Sequence, residues 1–281
     1  MKIIKSILFF LILLVLIGNK KEEKIPQRIV SLAPGFTEVL ISLGLKDKIV
    51  GVTTSSDYLK EVKDVEKIGF YMKPSLEKII ALSPDLVLAT NCREQRQTVK
   101  TLRKLEIAVE VFEEKGLKEL FLEIRKIGEI CGKQEKANLL VQRMQRKIEQ
   151  IRTKTAFLPR PRVYVEIGYK PLFTCGKGSF IDELIEIAGG ENIAYKINKL
   201  YPRVSAEFII SKNPEVIILP YMERNYGKET LRERNGWQNI SAVLNNRIYD
   251  DIGSQMITIP SPNLILKGLP ELAKRIHPNN E

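Results

Sequence analysis

The sequence predicts an α/β protein of two lobes, each with a central, mostly parallel sheet flanked by helices, bridged by one long α-helix. Three observations carry that prediction. Short apolar runs alternate with helical patterns along most of the chain, as strands and helices do in α/β units. Between the halves lies Gln134 to Thr155, QEKANLLVQRMQRKIEQIRTKT, without Gly or Pro and with apolar Leu139, Leu140, Met144, Ile148 and Ile151 recurring at helical spacing. At 1.5 Å per residue this helix would span roughly 33 Å, about the width of a small domain. Finally, SLEKIIALSPDLVL at 75–88 and SAEFIISKNPEVII at 205–218 match at Ser, Glu, Ile, Ile and Pro, 130 residues apart, and the same offset relates Tyr71 to Tyr201. An internal repeat implies two similarly built lobes.

The elements follow in order. Residues 28–33 read as an apolar strand broken by Pro34-Gly35, and residues 36–43 as a helix ended by Gly44. Residues 49–53 are the next strand, followed by a loop with Tyr58 and a second loop with Phe70-Tyr71-Met72. Ser75 caps a helix to Leu82, Ser83-Pro84 stops it, and residues 85–90 form a buried strand with Asn91 just past its end. A helix over 94–105, a strand over 107–112 and a helix over 117–131 complete the first lobe. After the long helix, strands at 162–167, 215–219 and 247–250 alternate with helices at 179–188, 205–212 and 264–276, while 221–235 is polar and shows no period. The expected organisation is residues 1–24 as export signal or anchor with a polar linker, 25–133 as the N-terminal lobe, 134–158 as the bridging helix and 159–281 as the C-terminal lobe.

Lys2 and Lys5 precede an apolar run from Ile7 to Gly18, and a polar stretch follows. That is the form of an export signal, too short to cross a bilayer core comfortably. Net charge is +11, or +9 if residues 1–19 are removed with their two lysines. Basic and acidic side chains alternate along the helices and no basic run carries interleaved aromatics, which argues against nucleic-acid binding. Cys92, Cys131 and Cys175 are odd in number, far apart and without a CxxC pair, so they read first as small buried residues. The one histidine, His277, lies near the C-terminus, which deprives Ser-His, Cys-His and His-rich metal chemistry of its central residue and argues against an enzyme. Gly176-Lys177-Gly178-Ser179 opens a helix without Walker A spacing, and reads either as an anion nest or as a close-packed turn.

Matched loops at strand ends would face each other across a crevice, where Tyr71 and Tyr201 could close on the flat faces of a large ligand or serve merely as half-buried loop anchors. Glu77 and Glu207 each occupy the first turn of a Ser-capped helix. The helix dipole alone favours a carboxylate there; a pair of outward acids, one per lobe, could equally dock onto a basic partner.

SLAPGFTEVLISLG, GVTTSSDY, GFYMKPSLEKIIALSPDLVLAT, FTCGKGSFIDELIEIAGGENIA and VSAEFIISKNPEVIIL together resemble the periplasmic substrate-binding proteins of ABC importers for vitamin B12, ferric siderophores and haem, most closely the cobalamin binders. The resemblance covers nearly all of the chain beyond residue 24. It implies two lobes with little hinge motion, an exported protein in the periplasm or on the outer face of the cytoplasmic membrane, a monomer, and delivery of the ligand to a permease and its ATPase, with Glu77 and Glu207 meeting permease arginines. It implies no cofactor of the protein's own; the ligand is itself a metal chelate. The expected cleft wall is Pro34, Gly35, Phe36, Tyr58, Phe70, Tyr71, Met72, Asn91, Tyr169, Tyr201, Arg203 and Gln255, and the expected ligand a corrinoid. The alternatives are a ferric siderophore, or haem with Tyr71 or Tyr201 on the iron and Arg203 pairing an acidic group. Outside that class stand a tetrapyrrole-metallating enzyme and a membrane-tethered sensor.

Overall fold

The computed structural model describes residues 25–113, 115–220 and 227–278, so the expected export segment and the first part, 221–226, of the polar stretch 221–235 lie outside the described residues. The first lobe contains β1 (Ile29–Ser31), α1 (Pro34–Ser42), β2 (Ile49–Val52), β3 (Glu66–Lys67), the hairpin β4 (Gly69–Phe70) and β5 (Lys73–Pro74), α2 (Leu76–Ala81), β6 (Leu86–Thr90), α3 (Arg96–Lys104), β7 (Val109–Phe112) and α4 (Leu117–Ile130). The long helix α5 runs from Gln134 to Thr155 as expected. The second lobe follows with β8 (Arg162–Gly168), β9 (Phe173–Thr174), α6 (Phe180–Ile187), β10 (Glu191–Asn192), α7 (Ala206–Lys212), β11 (Val216–Ile218), α8 (Lys228–Arg232), α9 (Ser241–Leu244), β12 (Ile248–Tyr249), α10 (Gln255–Thr258) and α11 (Leu269–Ile276), the last entered through a π-helical turn at Leu264–Gly268.

The first sheet has the order β3-β2-β1-β6-β7 and is parallel throughout. The second runs β10-β8-β11-β12, also parallel, with β9 added antiparallel to β8. Parallel strands covered by helices are buried on both faces, and β1, β6 and β11 are buried at every residue.

Three local expectations are corrected. Pro34-Gly35 does not separate strand from helix; Pro34 is the first residue of α1, where a missing N–H costs nothing because the first turn has no acceptor for it. Leu139 is 55% exposed, and the buried face of α5 is Ala137, Val141, Met144, Ile148, Ile151 and Thr155, a stripe stepping alternately by four and three. The last strand is only Ile248–Tyr249.

One hydrophobic core runs from Ile29, Leu40 and Leu88 through Ile124 and Ile127 of α4 and Val141, Met144 and Ile148 of α5 to Val165, Leu184 and Leu272. Smaller clusters back the outer face of each sheet. The long helix is therefore embedded in the core that joins the two lobes. A second seam lies on the other side of α1. Glu38, 3% exposed, accepts from the Tyr58 hydroxyl at 2.6 Å and from the Asn263 backbone N–H at 3.2 Å, and a Cβ at Gly35 would collide with the Pro260 carbonyl oxygen. Residues 225 apart in sequence are thereby bonded through one buried carboxylate.

Candidate ligand-binding cleft

In an open parallel sheet, ligands bind outside the carboxyl ends of the strands. Tyr58 follows β2, the hairpin follows β3, Asn91 follows β6, Tyr169 follows β8, Tyr201 and Arg203 follow β10, and Gln255 follows β12. The expected residues thus gather at the carboxyl edge of each sheet.

On the first lobe the hairpin is the projecting feature. Phe70 is 70% and Met72 54% exposed at its tip, while Tyr71 is half-buried with its hydroxyl 3.2 Å from Thr90 Oγ1. Asn91 is exposed and lines a groove of about 570 Å³ with Thr90, Arg96, Lys100, Arg103 and Lys104, four cationic side chains along one side of α3. Pro34 and Gly35 are buried beneath the rim, and Phe36 turns into the core, 3% exposed with its ring 5.1 Å from that of Phe112. A phenylalanine two residues into a helix whose amino end is pinned under Pro260 has only the core to face, so it backs the wall instead of lining it. Tyr58 is half-buried, its hydroxyl committed to Glu38. Burial, then the charge and hydrogen bond of Glu38, push that phenol far above its ordinary range.

On the second lobe Tyr169 is part of a stack. The Arg234 guanidinium lies 4.2 Å from the Tyr169 ring centroid and 4.6 Å from that of Trp237. Its two terminal nitrogens donate to Glu166 at 2.6 and 2.8 Å, and Tyr164 Oη donates to the same carboxylate at 3.0 Å. Burial pushes the Glu166 carboxyl up, while the bonds from Arg234 and Tyr164 act the other way. A fully buried carboxylate needs such a partner. Tyr201 is 36% exposed. Its neighbours are pinned from both sides, since Thr174 N–H donates to Pro202 O at 3.1 Å and Gly176 N–H to Leu200 O at 2.8 Å. The Gly176–Ser179 segment resolves as the close-packed turn: Lys177 N–H goes to Ile197 O, Gly178 N–H to Asp182 Oδ2, and a Cβ at Gly176 would strike Lys199 O. Gln255 is half-buried at the start of α10.

Glu77 and Glu207 have the same local structure. Each sits in the first turn of a helix whose Ser cap, Ser75 or Ser205, accepts the N–H three residues on, at 3.3 and 3.2 Å. Bonds from their own backbone N–H and from the capping serine hold both carboxyls below the ordinary range.

Residues 29–253 match the periplasmic binding protein family. The chain belongs to that family. An uncharacterised ABC transporter substrate-binding lipoprotein of Bacillus subtilis is 34% identical over 92% of this chain and 82% of its own length. A vitamin B12-binding protein of Vibrio campbellii is 30% identical over 84% of each chain. A solved structure of a possible iron-binding, periplasmic solute-binding protein from Staphylococcus epidermidis superposes with a TM-score of 0.77 at 29% identity, covering 90% of this chain and all of that one. As a periplasmic binding protein, the chain is an extracytoplasmic substrate binder and not an enzyme, and what it holds is cargo, not a cofactor. Among the described residues, no His, Cys, Asp or Glu cluster could hold a metal ion, no helix is long and apolar enough to cross a membrane, and the three cysteines are free.

Sequence reasoning missed Glu38, Gln95, Glu166 and Arg234. Glu166 alone left a trace, as a charge inside the apolar strand RVYVEIG; its partner lies 68 residues away in a segment without periodicity.

Proposed function

We propose that this protein is the substrate-binding component of an ABC importer that takes a corrinoid between its lobes and passes it to a permease powered by an ATPase. The observation that carries the reading is the pair of aromatic loops at the carboxyl edges of two parallel sheets: Phe70-Tyr71-Met72 on one lobe, and Tyr169 with Tyr201 and Arg203 on the other. Rigid rings with a polar tip suit the broad face of a macrocycle rimmed by amides. The likeness to the Vibrio campbellii protein supports the same ligand. In this reading Glu77 and Glu207, ionised and outward at matched positions, are the contacts for basic residues of the permease.

The test is calorimetric titration of the purified full-length chain with cyanocobalamin, following the fluorescence of the lone Trp237 in parallel. Saturable binding at micromolar concentration or tighter supports corrinoid capture; no binding overturns it. A second reading, an anionic ferric siderophore or haem, is favoured by the groove that places Arg96, Lys100, Arg103 and Lys104 beside Asn91. Haemin and a ferric catecholate titrated into the same sample test it.

A further inference from the structure

The β4–β5 hairpin is a two-residue turn, with Phe70 paired to Lys73 and Tyr71-Met72 at its tip. Two-residue hairpins favour turns that need a positive φ, because their twist matches that of the strands. Neither Tyr71 nor Met72 has one, so the turn closes on itself without the twist match that fixes a favoured hairpin. It is also held from outside. Gln95, with no exposed surface, donates from Nε2 to Tyr71 O and to Leu32 O, both at 3.1 Å, and accepts from Thr90 N–H at 3.0 Å. Both amide hydrogens and the amide oxygen are thereby used, and three segments of the first lobe's rim converge on one side chain: the end of β1, the hairpin tip and the end of β6. Thr90 holds the other end of the same tyrosine through the 3.2 Å contact between hydroxyls.

We propose that Gln95 and Thr90 are positioning residues for ligand capture, clamping Tyr71 at its carbonyl and at its phenol so that the ring is set at the cleft before ligand arrives. This rests on the reading of Tyr71 as a cleft residue. A side chain ordered beforehand does not have to be ordered during binding, and that saving appears as affinity.

The experiment is a double-mutant cycle on the full-length chain with cyanocobalamin, haemin and a ferric catecholate as probes. Gln95→Met is expected to weaken the saturating probe about tenfold when Tyr71 is present and less than about twofold in the Tyr71→Ala background, while lowering the melting temperature equally in both. Equal loss of affinity in both backgrounds, or none in either, overturns the proposal, since a purely structural glutamine would not distinguish them. Thr90→Val, which exchanges the hydroxyl for a methyl group, is the milder variant should Gln95→Met fail to fold, and the same coupling is expected. If no probe binds the wild type, the ligand reading fails while the clamp is still testable. In a chain labelled with 3-fluorotyrosine, the Tyr71 fluorine resonance, assigned by Tyr71→Phe, should move toward the position of an exposed tyrosine in either variant. An unchanged resonance overturns the clamp itself.

Discussion

Glu38 concentrates the cost and the gain of joining two lobes in one side chain. Burial raises its carboxyl pKa, against bonds from Tyr58, Ser261 and Asn263 that favour the charged form. A carboxyl raised on folding contributes its stability below the unfolded value and loses it as pH climbs through the folded value. Glu38→Ala is therefore expected to destabilise by about 1–3 kcal/mol through the stranded Tyr58 and Asn263 donors, with the larger loss near pH 4 and the smaller near pH 7, read from urea unfolding. Equal losses would show that the group titrates alike in both states. Arg234→Ala should cost more, about 3–5 kcal/mol, because it leaves Glu166 buried and unpaired; a thermal or urea denaturation series measures it. Tyr71→Ala should weaken ligand binding by about 1–3 kcal/mol through lost apolar burial, and calorimetry would remove Tyr71 from the site if the dissociation constant did not change. At this scale the sequence was legible only where a residue type carries its own signal. A tyrosine in a Gly-bearing loop can be suspected of facing a ligand; Gln95 and Glu38 act through backbone groups brought near by the fold, and nothing beside them in the chain marks that.

Elements were far more legible, because their periods are local. Gln134 and Thr155 bound α5 as expected from the absence of breakers, and Ser75 and Ser205 cap their helices. The choice of face on α5 shows where the reading stopped. Leu139 drew the stripe toward a larger side chain, whereas the packed line runs through Ala137, a small residue that lets α4 come close: Gly128 of α4 leaves room only for the Ala137 methyl, and Leu140 packs partly buried against the core as expected. Leu139→Gln is consequently expected to change stability by less than about 0.5 kcal/mol, and Val141→Ala to cost about 1–3 kcal/mol, the lost burial plus a cavity. Denaturant midpoints compared across the two variants check the assignment, and the reverse ranking would return Leu139 to the core face. The hairpin and the strands β3, β9 and β10 were not anticipated. Each is two residues long, too short for any period to appear.

For the whole molecule, the internal repeat was the feature that spoke for architecture. Two copies of a Ser-capped helix leading into a buried strand became two sheets with outward acids at equivalent positions. Glu77→Arg combined with Glu207→Arg should leave ligand affinity intact, since both side chains are fully exposed, while abolishing uptake in cells; surviving uptake would break the docking assignment. The ligand was not legible, since it depends on which side chains meet across a gap and the repeat speaks only of each half. The core that passes through α4 and α5 has one more consequence. A chain built as two lobes on separate cores would come apart in two stages and shed a resistant half under a protease. Here the largest core is shared, because α5 packs on α4 of the first lobe and on α6, the Leu264–Gly268 turn and α11 of the second. The protein should accordingly melt in a single calorimetric peak, and cutting it anywhere along α5 should leave no surviving fragment.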